Sequence, residues 1–151
     1  MPRRLRGKRR YGFRSGASII QNVPIPSTSR LPSLPQDEDE FENIVRDALC
    51  LRFSDPSFKR YGRGGQQQHG IDGFADSSGP NAGVAWQATL QHAGALSKLK
   101  RDLEKLDRSS LPVRHLLYCV GMSRDARLQD EVARLSYSRV DSNKCSLEVI
   151  F

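Results

Sequence analysis

The chain has 151 residues, enough for one domain and a tail, and its 24 Lys and Arg against 17 Asp and Glu give a formal net charge of +7. No apolar run approaches the roughly 18 residues that a membrane-spanning helix requires, so a membrane partner is not expected. Arg3, Arg4, Arg6, Lys8, Arg9, Arg10 and Arg14 supply the whole excess of positive charge, so the basicity belongs to an arm and says nothing of what the formally neutral remainder binds.

Residues 1–36 mix Arg, Ser, Pro and Gly with few large apolar side chains, and Pro24, Pro26, Pro32 and Pro35 interrupt any helix or strand. That composition predicts a disordered segment. Its basic start reads as an electrostatic arm that sets Arg3, Arg4, Arg9 and Arg10 on nucleic-acid phosphates, or as a solvated linker or address signal.

The folded body is expected over residues 37–151. Acidic Asp37-Glu-Asp-Glu40 suits the positive end of a helix, and Phe41, Ile44, Val45, Ala48, Leu49 and Phe53 follow at helical spacing. Glu42 falls at the border of that apolar stripe, where its carboxylate is either directed toward a sheet or solvated. Phe58 to Tyr61 reads as a short strand, followed by the loop Gly62-Arg63-Gly64-Gly65-Gln66-Gln67. Its glycines permit close backbone approach, yet no phosphate-loop or dinucleotide pattern is present. Arg60, Arg63, Gln66 and Gln68 are candidate contacts to a phosphate backbone or a base edge.

Two strands are then expected, Gln68 to Ala75 and Gly83 to Thr89, joined by the turn formers Asp76-Ser-Ser-Gly-Pro-Asn-Ala82. Alternation puts Gln87 and Thr89 on one face and Trp86 and Ala88 on the other, with Asp72 able to stand across from Gln87. Leu96, Leu99, Leu103 and Leu106 mark a second helix, on whose surface Lys98 and Asp102 read as i,i+4 partners. Val113 to Val120 reads as a buried strand and Ser123 as the N-cap of a third helix carrying Leu128, Val132 and Leu135. Cys145 to Phe151 closes the pattern as a strand, and an apolar strand residue at the end suggests a piece of something longer. Cys50, Cys119 and Cys145 are never at metal-ligand spacing and read as thiols of a reducing, cytoplasmic compartment. His69, His92 and His115 are equally scattered, so a zinc site would have to be assembled by the fold.

This order, with an acid in the second strand and a polar-x-polar triplet in the third, resembles the PD-(D/E)xK restriction-endonuclease-like superfamily, and its Mrr-like branch in particular. The pieces that carry the resemblance are Phe41-Glu42, Arg60-Tyr61-Gly62-Arg63, Gln68-His69-Gly70-Ile71-Asp72, Trp86-Gln87-Ala88-Thr89 and Ser123-Arg124-Asp125-Ala126-Arg127-Leu128-Gln129. The last is similar to a segment of nuclease domains joined to antiviral NTPases.

The resemblance implies an α/β fold, a mixed and roughly five-stranded sheet with helices on both faces. It implies a Mg²⁺-dependent DNA endonuclease, or a nuclease-derived domain of a restriction or defence protein, with Mn²⁺ as a substitute ion. Asp72, Gln87 and Glu42 fall at the metal, and Thr89 holds the place of the catalytic lysine. DNA is the implied partner, further domains such as an NTPase are compatible with it, and a homodimer is admitted. The missing lysine leaves a non-catalytic module that binds DNA or another domain as the alternative. Lys98, Lys100 and Lys59 are candidate substitutes or simple surface charges; Lys98 and Lys100 point about 200° apart around a helix, so at most one can face Asp72. Gly73 and Phe74 depart from the family's aliphatic strand, and a glycine there predicts a loosened strand.

Overall fold

The computed structural model describes residues 35–62 and 68–151. Arg3, Arg4, Arg9, Arg10, Arg63 and Gln66, and nearly all of the expected arm, lie outside them. The elements run α1 (Glu38–Arg52), β1 (Lys59–Arg60), β2 (Gly73–Phe74), β3 (Val84–Thr89), α2 (Ala95–Arg108), β4 (His115–Val120), α3 (Ala126–Asp141) and β5 (Ser146–Ile150). The five strands form one mixed sheet in the order β1-β2-β3-β4-β5. The first three are antiparallel, and β3, β4 and β5 are parallel.

Local chemistry explains where the elements start. Asp37 caps α1 through a side-chain acceptor for the Asp39 N–H, and Glu38, Asp39 and Glu40 in the first turn complement the helix dipole. The cap of α3 is Asp125 rather than Ser123: its carboxylate accepts from the backbone N–H of Arg127 and Leu128 at 2.8 and 3.2 Å. An anionic acceptor at the positive helix end outcompetes a hydroxyl two residues earlier.

Two cores lie on the two faces of the sheet. Phe41, Val45 and Leu49 of α1 pack with Phe58, Trp86, Ala88, Leu117 and Cys119. On the opposite face, Leu99, Leu103 and Leu106 of α2 and Leu128 and Val132 of α3 pack with Ala85, Leu116, Tyr118 and Val120. Fully burying each such Leu, Val or Phe contributes about 1.5–3 kcal/mol. The alternation along β3 therefore sends Gln87 and Thr89 toward the α2 side and Trp86 and Ala88 toward α1.

The strand expected over Gln68 to Ala75 is only Gly73–Phe74. His69 and Gly70 both take positive φ, 50° and 82°, which turns the chain out of the sheet before Asp72. A side chain on Gly70 would collide with the main chain of Asp102 on α2, so this turn lies directly against that helix. Gly73 has a packing role: a Cβ there would strike the Trp86 indole and the Lys59 carbonyl, so the glycine lets a fully buried Trp86 lie against β2. None of the described helices is long and apolar enough to cross a membrane.

Candidate active site

Because β2 is so short, β3 runs past it, and the site forms at that step. The register Phe74↔Ala85 and Gly73↔Trp86 continues to place Asp72 beside Gln87, just beyond the last paired residues. The Asp72 N–H donates to the Trp86 carbonyl at 2.9 Å, and its Oδ2 accepts from the Ala88 N–H at 2.8 Å. The carboxylate thereby satisfies a β3 edge donor that β2 does not reach, and this fixes it against the triplet. Burial pushes the Asp72 carboxyl above its ordinary value, against the lowering effects of the Ala88 N–H and the Lys98 charge.

Glu42 arrives from α1, with its side chain 13% exposed. Burial first, and the nearby negative charge of Asp72 second, raise its pKa, while Arg60 opposes both. Arg60 donates to Glu42 Oε2 and, at 2.6 Å, to Asp39 Oδ1. The sequence assigns Arg60 to nucleic acid; in the structure its guanidinium is committed to two carboxylates of α1. That ion pair joins residues 18 positions apart and had no sequence signal.

Gln87 is 2% exposed and its Nε2 donates to Asp102 Oδ2. A carboxylate only accepts, so the amide must present its NH₂ there. Its Oε1 is left buried without a hydrogen-bond partner; among the described residues only Trp86 Nε1 shares that condition. Asp102, expected on the surface of α2, is instead 6% exposed. It follows Leu99 by three positions and precedes Leu106 by four, which is the spacing of the buried stripe, and that position is the signal that could have found it.

Lys98 extends from α2 to within 3.6 Å of Asp102 Oδ2, and Lys105 lies 2.7 Å from Oδ1. A cleft of about 780 Å³ is lined by Glu42, Asp72, Gln87, Lys98, Asp102 and Lys105, together with Gln68 and its neighbours. Gln68 also donates to the Tyr61 carbonyl at 3.3 Å. Thr89 does not line it: its side chain is fully buried, and its Oγ1 accepts from the Gln91 N–H at 3.1 Å. Of the other candidate lysines, Lys100 is exposed, and Lys59 sits over the Phe74 ring, 3.8 Å from Asp76. Lys98 alone of the three faces the Asp72 carboxylate.

Among the described residues no three His, Cys, Asp or Glu side chains are grouped to hold a metal ion. Four carboxylates, Glu38, Glu42, Asp72 and Asp102, line the cleft with Gln87, Lys98, Lys105 and Arg108. Asp102 is already engaged by Gln87 and the two lysines, which leaves Glu42, Asp72 and the Gln87 carbonyl as the candidate oxygen donors. Mg²⁺ takes hard oxygen donors and keeps several waters, so it needs few protein ligands. Two carboxylates whose burial raises their pKa values, beside a carbonyl oxygen lacking a donor, present hard oxygen atoms to one cleft. The donor set fits such an ion.

Comparison with protein-family models, with curated proteins and with solved structures finds no match. The functional reading therefore rests on this geometry and on the residues that make it.

Proposed function

We propose that the domain is a Mg²⁺-dependent DNA endonuclease of a restriction or defence system, with Mn²⁺ able to replace Mg²⁺. The observation that carries this reading is that Glu42, Asp72, Gln87 and Lys98 line one cleft, with the Gln87 Oε1 buried and unpartnered. Glu42, Asp72 and Gln87 Oε1 would hold the ion. When bound, it supplies charge neutralisation at the phosphate and a lowered pKa for the attacking water.

The chain's own residues supply the rest. Asp72 is locked by the Ala88 N–H, so its carboxylate is preorganised. Lys98 brings a positive charge to the same cleft from α2, in the role that Thr89 cannot fill from β3. A fixed cation aimed at developing phosphoryl charge stabilises the transition state by on the order of 2.7–4 kcal/mol, about 100- to 1000-fold in rate. A relocated lysine thus accounts for the threonine at the end of the triplet.

The Arg60–Glu42 ion pair favours a second reading, a nuclease-derived module that binds DNA without cutting it. There a guanidinium, rather than a metal ion, neutralises Glu42. Incubating the full chain with supercoiled plasmid and Mg²⁺ or Mn²⁺, beside Asp72→Ala and Lys98→Ala, separates the two. The endonuclease reading requires cation-dependent nicking that both substitutions suppress. Equal nicking by all three proteins, or none by any, removes it.

A further inference from the structure

We propose that Asp102 is a positioning residue of this site: its carboxylate sets the orientation of the Gln87 amide, so that Oε1 and not the NH₂ group is offered to a cation. The inference rests on the reading of the cleft as a cation site, and it names how the neutral ligand of that site is kept in register.

An amide has nearly the same shape after its oxygen and nitrogen are exchanged, so packing alone does not choose between the two orientations. Hydrogen bonding does. Gln87 lies in the middle of β3 at 2% exposure, where little water reaches it. An amide free to turn would present its positive NH₂ end to Asp72 as readily as its oxygen. Asp102 removes that freedom, because a carboxylate accepts and never donates. Once Nε2 is bound to Asp102 Oδ2, only Oε1 remains, and it is the atom left without a partner.

Asp102 is itself held from several sides. Lys105 lies 2.7 Å from Oδ1 and Lys98 lies 3.6 Å from Oδ2, the oxygen that also binds Gln87. The two ammonium groups give this buried acid ionic partners inside an otherwise leucine-lined stripe, where an unpaired polar group is strongly disfavoured. The main chain at Asp102 is fixed as well. Gly70 lies directly against it at φ 82°, with no space for a Cβ. The segment that carries Asp72 and the helix that carries Asp102 are therefore docked on each other at one point, and both ends of the ligand set share that anchor.

The arrangement also explains the residue type at position 87. A glutamate there would set a second carboxylate against Asp102 Oδ2 and replace a hydrogen bond with a like-charge contact, with Lys98 as the cation nearest that oxygen. The negative charge is held on the helix and the strand supplies a neutral oxygen.

Three variants of the full chain test this: Asp102→Asn, Gln87→Glu and the pair together. The cation-independent readout is the Gln87 side-chain amide in ¹⁵N-correlated NMR spectra. Its protons should be protected from exchange in the native protein and lose part of that protection in Asp102→Asn, whose neutral Oδ1 accepts more weakly than a carboxylate and whose NH₂ can turn toward Oε1 instead. The second readout is calorimetric titration with Mn²⁺ alone. Substitutions behind a metal ligand weaken binding by about 10- to 100-fold, and Asp102→Asn is expected in that range while unfolding remains cooperative. Gln87→Glu should bind Mn²⁺ more weakly than the native chain, although a carboxylate is ordinarily the stronger ligand. Adding Asp102→Asn should restore its affinity, because the new amide donates to the glutamate.

Unchanged Gln87 protection in Asp102→Asn, or native Mn²⁺ affinity in that variant, overturns the positioning role while leaving the cation site standing. If Asp102→Asn fails to fold, Gln87→Glu alone decides: tighter Mn²⁺ binding than the native chain overturns the proposal. A native chain that binds no Mn²⁺ removes the cation site, and the proposal falls with it. Loss of Gln87 protection in Asp102→Asn would in that case mark the pair as structural only.

Discussion

The carboxylate of Asp72 accepts the backbone N–H of Ala88, the middle residue of the polar triplet, at 2.8 Å. This bond makes one acid both a sheet-edge cap and a proposed ligand of the cation. An asparagine can keep the first role, since its Oδ1 also accepts, but it discards the charge. Asp72→Asn should therefore fold normally and lose cation-dependent nicking by more than about 100-fold.

The pH dependence of its stability carries a definite sign. Burial raises the folded pKa of Asp72 above the ordinary 3.8. The folded protein then binds more protons than the unfolded chain within that window, and this group makes stability fall as pH rises through it. At neutral pH, without divalent ions, Asp72→Asn should be at least as stable as the native chain. The difference should close as pH falls through the raised pKa toward 3.8. Urea unfolding across that range checks it, and a variant less stable at neutral pH than in acid, relative to native, contradicts it.

Lys98 and Thr89 make opposite predictions about where the missing lysine resides. Lys98→Ala should reduce nicking by about 100- to 1000-fold with little change in the unfolding midpoint, because Lys105, the nearer cation, still pairs with Asp102. Thr89→Lys should not restore or raise activity. The position is fully buried, away from the cleft, and the substitution also removes the acceptor of the Gln91 N–H. Burying an unpaired ammonium there should cost more than about 2 kcal/mol of stability. A stable Thr89→Lys protein that cuts faster than native would return the catalytic role to the strand.

Arg60 controls the proton on Glu42. Its charge and hydrogen bond lower a pKa that burial and Asp72 raise above the ordinary 4.5. Arg60→Gln removes the lowering influence, so Glu42 should hold its proton to higher pH and compete longer with a cation. Titrating Mn²⁺ affinity against pH should show the acidic limb displaced upward in Arg60→Gln. A limb displaced downward, or not at all, would mean that Glu42 is not a ligand.

Much of this arrangement was legible before the fold was known, and the remainder was hidden for physical reasons. The alternation of β3 and the apolar spacing of α1 depend on local periodicity, so the face that Gln87 takes and the place of Glu42 at the border of the α1 stripe followed from the chain itself. Asp72 followed from its position before a turn-forming cluster. Asp102 was hidden because its i,i+4 relation to Lys98 is also the pattern of an exposed ion pair. Only its place between Leu99 and Leu106 marks it as inward. Gly73 was half visible, since a glycine's weakness in a strand can be read in sequence while the ring that fills its space, Trp86, comes from the neighbouring strand. The engagement of Arg60 by Asp39 and Glu42 depends on tertiary approach and leaves no periodic trace.

The helix that carries Lys98 and Asp102 is tied to α3 at its far end, and this sets the last prediction. Arg139, 7% exposed, donates from Nη1 and Nη2 to Asp107 at 3.1 and 2.6 Å and from Nε to the Cys145 carbonyl at 3.3 Å. Lys144 adds a contact to Asp107 at 2.8 Å. Breaking a wholly buried pair costs about 3–5 kcal/mol. Asp107 retains some access to water, so Arg139→Met should lose less, roughly 2–3 kcal/mol at neutral pH. Arg139, with help from Lys144, holds the Asp107 carboxyl below the ordinary 3.8. Its stabilisation is therefore present above that value and lost as pH falls through the lowered pKa. The gap between native and Arg139→Met should narrow in strong acid; at neutral pH the native chain is the more stable of this pair, whereas Asp72→Asn is expected to be at least as stable as native. Nicking by Arg139→Met should fall only in proportion to the unfolded fraction, because the pair holds α2 in place and touches nothing in the cleft. Urea unfolding at neutral and acid pH, with nicking measured under conditions where the variant is fully folded, checks both statements. A fully folded variant with lost activity would show that the tie also sets the placement of Lys98 and Asp102.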